Sequence, residues 1–399
     1  MSAISTIRLL SPDESPWRGD FPFLVRRDGA PCYLDSAAMT LKPACVVDAV
    51  CSFYRDYGTH IYGGHRAIGQ RAAAAFDAAR AKVARLLGAR PSEIVFTHNC
   101  SAALNLVAVG LGLSYGDEII VSRLEHEANV LPWHRGQVRV CEVTPDGRID
   151  LDHLASLLGP RTRVIAVTMA SNVSGVVQPI ADITALARER RVLTVVDAAQ
   201  CIVHQAIDVD ALGCDFLAFS GAKAFGPSGV GVLYGREQAL AQLDPLAACG
   251  SSPDAAQAGT CELEAGTPNL EGVIGLGAAI DYLQAGGEAM RDHTAALGEY
   301  LRHRLSEQGL VQQPFASDAR ALPMTSVLPR GGIGTSRLTA LLYESFDIIV
   351  RDGTHGCAPL FERVALDSAL RISLAPYNQR SDVDTLVDAL AELCPEDAS

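Results

Sequence analysis

The chain of 399 residues is 48% hydrophobic and 20% charged, and its formal net charge is −13 at pH 7. This composition is that of an ordinary soluble globular protein, and the length suffices for two domains with a large core. The negative charge argues against nucleic acid and against an anionic membrane surface as partners. No apolar run is long enough to span a bilayer.

The N-terminal segment and the cysteines indicate a cytoplasmic protein. The segment from Met1 to Trp17 has no cationic flank ahead of an apolar block, unlike a signal peptide. The 11 cysteines are scattered and odd in number, which is typical of reduced thiols rather than of a disulfide framework. None of them has zinc-ligand spacing, so we expect no bound metal.

Alternating segments predict a mostly parallel sheet. After a helix at 43–57, a polar loop at 58–69 and a helix at 70–87, strands and helices alternate along the chain. Strands are expected at 93–97, 118–121, 138–143, 163–169, 192–196, 216–219 and 230–234, with helices at 101–111 and 180–190. This order predicts an α/β fold with helices on both faces of the sheet.

The pattern changes after Gly266. Helices are expected at 270–283, 290–305, 336–343 and 382–393, with short strands near 324–328, 348–351 and 370–374. These elements predict a smaller α+β domain that packs on the first one together with the N-terminal segment. We therefore expect a large domain of residues 20–285 and a small domain of residues 1–19 plus 286–399.

Polar side chains follow the predicted strands, where ligands bind in open α/β sheets. Lys223 lies in a glycine-rich turn after the strand at 216–219, in a stretch without a carboxylate. A buried amine in such a place loses its charge and becomes a nucleophile, although a lysine that points to solvent has the same local sequence. Asp197 ends an apolar strand, where a carboxylate is costly unless it meets a cation.

Two further strand ends add polar groups. Ser101 begins a helix after the strand at 93–97, which makes either an anion site or a simple N-cap. His126 follows the strand at 118–121 and is either a stacking ring or a structural histidine. The whole set suits pyridoxal phosphate (PLP), which needs a Schiff-base lysine, an acid beside its pyridine nitrogen and a phosphate cradle.

Seven stretches in order support a family resemblance. They are Y-L-D-S-A-A at 33–38, E-H-E-A-N at 125–129, S-N-V-S-G at 171–175, D-A-A-Q at 197–200, F-S-G-A-K at 219–223, E-A-G-T-P-N at 264–269 and R-I-S-L-A-P-Y-N at 371–378. With them the chain resembles fold type I PLP enzymes of the class V aminotransferase group, close to the cysteine desulfurase and selenocysteine lyase branch. The resemblance spans nearly the whole chain and implies a mostly parallel, seven-stranded sheet plus a smaller α+β C-terminal domain.

The resemblance implies roles around the cofactor. Lys223 would form the Schiff base and move the substrate α-proton, and Asp197 would keep the pyridine nitrogen protonated. His126 would stack on the ring, and Gln200 would hydrogen-bond its phenolic oxygen. The implied phosphate contacts are Cys100, Ser101, Ser220 and, from the other subunit of a homodimer, Thr267.

An amino-acid substrate is implied as well. Asn172 and Arg371 would hold its carboxylate, and Arg371 would do so with a bidentate fork that lysine cannot form. The other residues expected on the substrate side are His60, Tyr62, Arg351 and His355.

The chain departs from the desulfurase pattern at three places. Ala222 stands where that branch has a histidine before the lysine, and the stretch at 60–64 lacks the arginine of Asn-x-His-Arg-Gly. The branch has a cysteine loop Arg-x-Gly-His-x-Cys-Ala-x-Pro, and ungapped alignment with residues 351–359 puts Gly356 in the place of the nucleophile. Cys357 follows one residue late and is either catalytic or a passive loop thiol.

The preferred hypothesis is a PLP-dependent lyase that cleaves the C–S bond of L-cysteine or an S-substituted cysteine. It would use a Schiff base, α-proton abstraction and β-elimination. An alternative is a cysteine desulfurase that forms a persulfide on Cys357 and passes sulfur to an acceptor protein. Another is an aminotransferase or decarboxylating deaminase acting on a specialised amino acid. A catalytically silent binding protein is disfavoured by the complete set of Lys223, Asp197, His126 and Gln200.

Overall fold

The computed structural model describes residues 14–25, 29–61, 66–245, 262–264, 266–315 and 321–394. Its strands are β1 (Cys32–Tyr33), β2 (Ile94–Thr97), β3 (Glu118–Ser122), β4 (Gln137–Cys141), β5 (Thr162–Thr168), β6 (Leu193–Asp197), β7 (Phe216–Ser220), β8 (Gly231–Gly235), β9 (Val311–Gln312), β10 (Met324–Pro329), β11 (Ile348–Ile349), β12 (Arg351–Gly353) and β13 (Ala369–Ser373).

The α-helices of the same residues lie before, between and after these strands. They are α1 (Pro22–Val25), α2 (Ala44–Ser52), α3 (Ala67–Leu87), α4 (Cys100–Gly110), α5 (Leu151–Leu157), α6 (Ile180–Glu189), α7 (Cys201–His204), α8 (Val209–Leu212), α9 (Glu237–Leu240), α10 (Leu270–Gln308), α11 (Thr335–Phe346), α12 (Ala358–Arg363) and α13 (Arg380–Leu393). None of the described helices is long and apolar enough to cross a membrane.

A seven-stranded sheet forms the centre, in the order β2-β8-β7-β6-β5-β3-β4. The strands from β7 to β4 are parallel, whereas β8 runs antiparallel to both of its neighbours. Successive residues of β6 face opposite cores, since Val195 and Val196 belong to different apolar clusters. Both faces are therefore covered, which explains why these strands are continuous apolar runs. The predicted mostly parallel α/β sheet is confirmed.

A second sheet has the order β12-β13-β10-β9 and is antiparallel. Beside it, β1 pairs in parallel with β11. Leu34, Val327 and Ile372 belong to the apolar core of this region, together with side chains of α10, α11 and α13. The strand from the N-terminal part of the chain thus lies among C-terminal elements, and this contact brings Asp35 to the candidate active site. The division into two domains at residues 20 and 285 stays a prediction.

Two predicted helices take a different form in the structure. The helix expected at 43–57 is α-helical to Ser52 and continues as one π-helical turn, Phe53–Tyr57. The rings of Phe53 and Tyr57 are in contact in this turn, with centroids 5.3 Å apart. The helices expected at 270–283 and 290–305 are joined as α10, with non-helical backbone angles at Gly287. Sequence patterns did not predict α5 and α12, which are short.

Candidate active site

A cleft of about 530 Å³, part of it open to solvent, lies at the carboxyl ends of the central strands. Strands β6 and β7 are neighbours in register, so Asp197, at the end of β6, and the turn after β7 face the same edge. That turn is the short 3₁₀ helix Gly221–Lys223. The predicted residues that line the cleft are Cys100, Ser101, His126, Asn172, Asp197, Gln200, Ser220 and Lys223.

Lys223 reaches the cleft as a partly buried amine. Burial lowers its pKa, and the positive charge of Arg371 acts in the same direction, while Asp197 opposes both. A lowered pKa increases the fraction of neutral amine, which is the form that attacks a carbonyl or accepts a proton. The structure therefore favours the nucleophilic interpretation of Lys223 over a solvated side chain.

Asp197 is 7% exposed and lines the cleft. Its Oδ1 accepts a hydrogen bond from the backbone N–H of Ala199 at 2.9 Å and contacts the Cys100 thiol at 3.4 Å. Gln200 donates through Nε2 to the carbonyl of Ala37 at 3.0 Å. These contacts fix both side chains, so the carboxylate and the amide have defined directions before any ligand arrives.

His126 also lines the cleft. Its Nδ1 accepts a hydrogen bond from the Ala128 N–H at 3.0 Å, which places the proton of a neutral ring on Nε2. Burial lowers the pKa of His126, and Lys223 lowers it further. The ring is therefore neutral at pH 7 and is held in one tautomer by the backbone.

The N-terminus of α4 lies at the cleft, where the sequence predicts an anion site. Its N-cap is Asn99, whose Oδ1 accepts from the Ala102 N–H at 2.8 Å, so the alternative of capping by Ser101 is wrong. Ser101 is exposed and lines the cleft. A Cβ at Gly231 would overlap the backbone of Asn99, so the glycine lets β8 approach this turn. The Cys100 thiol is directed to Asp197, and burial raises its pKa well above the usual value.

Arg371 and Asn172 meet beside the cleft. Arg371 is 3% exposed, and its Nη1 donates to the backbone carbonyl of Asn172 at 3.2 Å. Its Nη2 pairs with Asp35 Oδ1 at 3.1 Å, and Arg351 Nε reaches the other oxygen of Asp35 at 3.0 Å. Asp35 lies in the Y-L-D-S-A-A stretch, but no local pattern predicts that it pairs with residues more than 300 positions away. It is the main site residue that sequence reasoning missed.

The cysteine loop closes one side of the site. Gly356 has φ +72°, and a Cβ there would lie 2.5 Å from His126 Nε2. The Gly356 carbonyl accepts from the Glu127 N–H at 2.7 Å. Cys357 is fully buried, and its thiol donates to Asn172 Oδ1 at 2.9 Å. Burial raises the pKa of Cys357 to about 12, and Glu125 adds to the shift.

The other residues predicted on the substrate side are less central. His60 is exposed and does not line the cleft, and Tyr62 lies outside the described residues. The backbone carbonyl of His355 accepts from Asn172 Nδ2 at 2.9 Å, and its ring nitrogen Nε2 contacts the Ala369 carbonyl. Burial lowers the pKa of His355 to about 3, so its ring is neutral. Thr267 is exposed and does not line this cleft.

The residues present fit PLP. The cleft offers a partly buried amine, a buried carboxylate, a neutral ring, and a helix N-terminus flanked by the hydroxyls of Ser101 and Ser220. A phosphate suits a helix N-terminus with adjacent hydroxyl donors, and the carboxylate suits a protonated pyridine nitrogen. Sheet order and strand-end side chains together define the class of this protein, an α/β enzyme built like the fold type I PLP enzymes.

Comparison with known proteins identifies the family. The family model described as aminotransferase class-V matches residues 32–386, and the chain belongs to this family. A probable cysteine desulfurase of Pseudomonas putida is 41% identical over 394 residues, which are 94% of this chain and 97% of the relative. A cysteine desulfurase of Yersinia pseudotuberculosis is 36% identical, with the same shares of both chains covered.

Solved structures agree with the assignment. The apo cysteine desulfurase from Thermococcus onnurineus superposes with a TM-score of 0.87 at 30% identity, covering 96% of this chain and 98% of that one. The cysteine desulfurase CsdA (S-sulfonic acid) from Escherichia coli gives a TM-score of 0.84 at 34% identity, with 97% and 100% covered. The predicted family, its desulfurase branch and the α/β fold are confirmed, and the chain is an enzyme of a PLP-dependent family.

Proposed function

We propose that this enzyme uses PLP to cleave the C–S bond of L-cysteine or an S-substituted cysteine by β-elimination. The observation that supports elimination is the position of the thiol in the cysteine loop. Gly356, which has no side chain, faces His126, while the Cys357 thiol is buried and donates to Asn172. A neutral, anchored thiol is a poor nucleophile, and β-elimination does not need one.

Lys223, Asp197, His126 and Gln200 are the residues that we propose to hold the cofactor ring. PLP, when bound, supplies an electron sink that stabilises negative charge at the substrate α-carbon. Lys223 Nζ, with its lowered pKa, would bind the cofactor and then accept the α-proton. The Asp197 carboxylate would stabilise a protonated pyridine nitrogen, because both charges are then buried together.

Arg371 and Asn172 are proposed to orient the substrate. A guanidinium that binds a carboxylate at two points fixes its plane, which limits how the C–S bond points relative to the ring. The buried walls around Arg371 strengthen this contact, because the local dielectric is low. The sulfur then leaves as a thiol or as sulfide after it has taken up a proton.

A second candidate is desulfuration, with the persulfide on Cys357. Two observations favour it: relatives named cysteine desulfurases are 36–41% identical over nearly the whole chain, and Cys357 touches Asn172 within the site. This route needs the thiol to lose its proton and to attack the substrate sulfur. The enzyme would keep that sulfur as a persulfide and release alanine.

The products separate the two reactions. The enzyme is supplied with cysteine, cystine and a bulky S-conjugate, and pyruvate and alanine are quantified by mass spectrometry. We expect pyruvate with ammonia, and Cys357→Ser should keep the rate within about tenfold, roughly 1.4 kcal/mol of barrier. The outcome that contradicts elimination is alanine as the main product, lost in Cys357→Ser. A keto acid that forms only with an amino acceptor present would indicate transamination.

A homodimer is proposed as the working form. Thr267 is exposed and lies away from the cleft of its own chain, which suits a residue that reaches the phosphate in a neighbouring subunit. Mixing Lys223→Ala chains with Thr267→Ala chains should then regenerate one intact site per heterodimer. A monomer in sedimentation that still binds PLP tightly would contradict the shared site. We also propose a cytoplasmic location and, for the desulfuration route only, a sulfur-acceptor protein.

A further inference from the structure

Two arginines face each other at the edge of the second sheet. Arg351 of β12 and Arg371 of β13 are Cα partners in an antiparallel pair. Like charges directly opposite each other destabilise a sheet, so this arrangement needs an anion. Asp35 supplies it, with one oxygen 3.0 Å from Arg351 Nε and the other 3.1 Å from Arg371 Nη2.

The two arginines differ in their surroundings. The Arg351 side chain is 52% exposed, whereas those of Arg371 and Asp35 are only 3% and 8% exposed. Water therefore screens the charge interaction between Arg351 and Asp35, whereas the Asp35–Arg371 pair is buried and is screened much less. Asp35 is also held through its backbone, which forms a parallel bridge with Ser373. A buried carboxylate thus sits at a fixed place beside the buried guanidinium.

Arg371 still has hydrogen-bonding capacity. Its Nη1 donates to the Asn172 carbonyl and its Nη2 to Asp35, but its Nε has no partner among the described residues. A buried N–H without an acceptor is unfavourable, which indicates that a ligand completes the set. The contact with Asp35 resembles the contact that a substrate carboxylate would make.

We propose that Asp35 is an internal competitor for the substrate carboxylate at Arg371, with Arg351 as the counter-ion that keeps Asp35 paired when a substrate arrives. This inference rests on the proposed function in one respect, the binding of a substrate carboxylate by Arg371. Asp35 is a specificity-determining residue and does not touch the reacting atoms.

The competition selects for amino acids. A simple carboxylate has one anchor in the site and must displace Asp35 with that contact alone. An amino acid would have a second anchor, because its amine would be held at the cofactor site beside Lys223. Asp35 therefore limits the binding of ordinary carboxylates at Arg371, and it weakens substrate binding as well. Because a simple carboxylate has only the guanidinium contact, this unfavourable contribution to its binding free energy lowers its occupancy of the site, while a ligand with two anchors still binds.

The test measures propionate binding to the holoenzyme by calorimetry. Propionate has the carboxylate alone, without amine or sulfur, so it is not turned over. Asp35→Asn should bind it roughly tenfold more tightly, because the competing charge is gone. Arg351→Gln should bind it roughly tenfold more weakly, because displaced Asp35 then has no partner. A merely structural role would weaken binding in both variants.

A double-mutant cycle separates competition from a direct pull of Arg351 on the ligand. On the Asp35→Asn background, Arg351→Gln should change propionate affinity less than about twofold. An equal effect on both backgrounds, or weaker or unchanged binding by Asp35→Asn, overturns the proposal. Propionamide, which is uncharged, serves as the control ligand and should not distinguish the variants.

If Asp35→Asn does not fold, Arg351→Gln still tests the proposal. The Arg351 side chain is half exposed, so we expect this variant to fold, and the direction of its change in propionate affinity decides the outcome. Tighter or unchanged propionate binding by that variant overturns the proposal. Absence of propionate binding in every folded variant overturns it too. If cysteine substrates give neither pyruvate nor alanine while the propionate affinities shift as expected, the proposed reaction fails and the role of Asp35 stands.

Discussion

The cofactor side and the cysteine loop are built in opposite ways. Asp197 and Lys223 follow neighbouring parallel strands, and the register of Asp197 with Ala218 fixes where both groups lie. After β12 ends at Gly353, the loop has no such frame, and its backbone has positive φ at His355 and Gly356. A strand tolerates no register slip, since one residue reverses every side chain. In the loop, a one-residue shift merely changes which side chain faces the ligand.

Contacts with the rest of the site replace a sheet in the loop. The carbonyl of His355 accepts from Asn172, and that of Gly356 accepts from the N–H of Glu127. These bonds attach the loop to both sides of the cleft and leave Cys357 buried behind it. We therefore expect the cofactor side to keep the chemistry of the family and the loop to decide which reaction follows.

The largest effect is expected on the cofactor side, from Lys223→Ala. It should lower turnover at least about a thousandfold, because the residue would both bind the cofactor and move a proton. Borohydride treatment of the PLP-loaded protein should fix the cofactor to Lys223 as a covalent label, which peptide mass spectrometry can locate. A label on another lysine would break the assignment of the cofactor side.

Lys42 is the matched control for that experiment. The chain has only three lysines, and Lys82 is paired with Asp281 at the surface. Burial also lowers the pKa of Lys42, to about 8. Its amine, however, donates to the carbonyls of Thr40 and Ala222 at 2.6 and 2.9 Å. Lys42→Ala should therefore still take up the label at Lys223.

A smaller effect is expected in the loop, from Gly356→Ala. The added Cβ would lie 2.5 Å from His126 Nε2, so the ring must move and turnover should fall about tenfold or more. Gly332→Ala is the control, because its φ of +73° matches the +72° of Gly356 but nothing lies within 4 Å of the new Cβ. Both variants should lose about 1–2 kcal/mol of stability from backbone strain. Equal activities in the two would mean that the loop does not constrain His126.

The smallest effect is on stability, at Glu125 between the two regions. Burial raises the pKa of Glu125 from its ordinary value of 4.5 to about 8. Between pH 4.5 and 8 the folded state therefore keeps a proton that the unfolded chain has released. This contribution to stability is complete below pH 4.5 and is lost as the pH rises to about 8, on the order of 1 kcal/mol per pH unit. Glu125→Gln should flatten that slope in urea unfolding at pH 5, 6.5 and 8. The exposed neighbour variant, Glu127→Gln, should keep it, and a slope unchanged in Glu125→Gln would contradict the assignment.

The sequence by itself was sufficient for the sheet and for the cofactor side. Apolar runs that end in Asp197 or lead into Lys223 predict buried parallel strands with polar groups at one edge, because period and burial are local properties. The shift of Cys357 was also visible as a change in spacing. Short elements such as α5 and α12 were missed, since a few residues have too little periodicity to distinguish them from loops.

Only the tertiary structure decided what the shift does and which charges meet. Asp35 and Arg371 are 336 positions apart, and they pair because β1 lies beside β11 and Asp35 bridges to Ser373, the last residue of β13. Likewise, Gly356 faces His126 because two remote loops pack together with positive φ at one of them. Local sequence states which groups exist, but contacts between residues so far apart in the chain depend on how separate elements pack. That packing buries the Cys357 thiol and pairs the Asp35 carboxylate with Arg371.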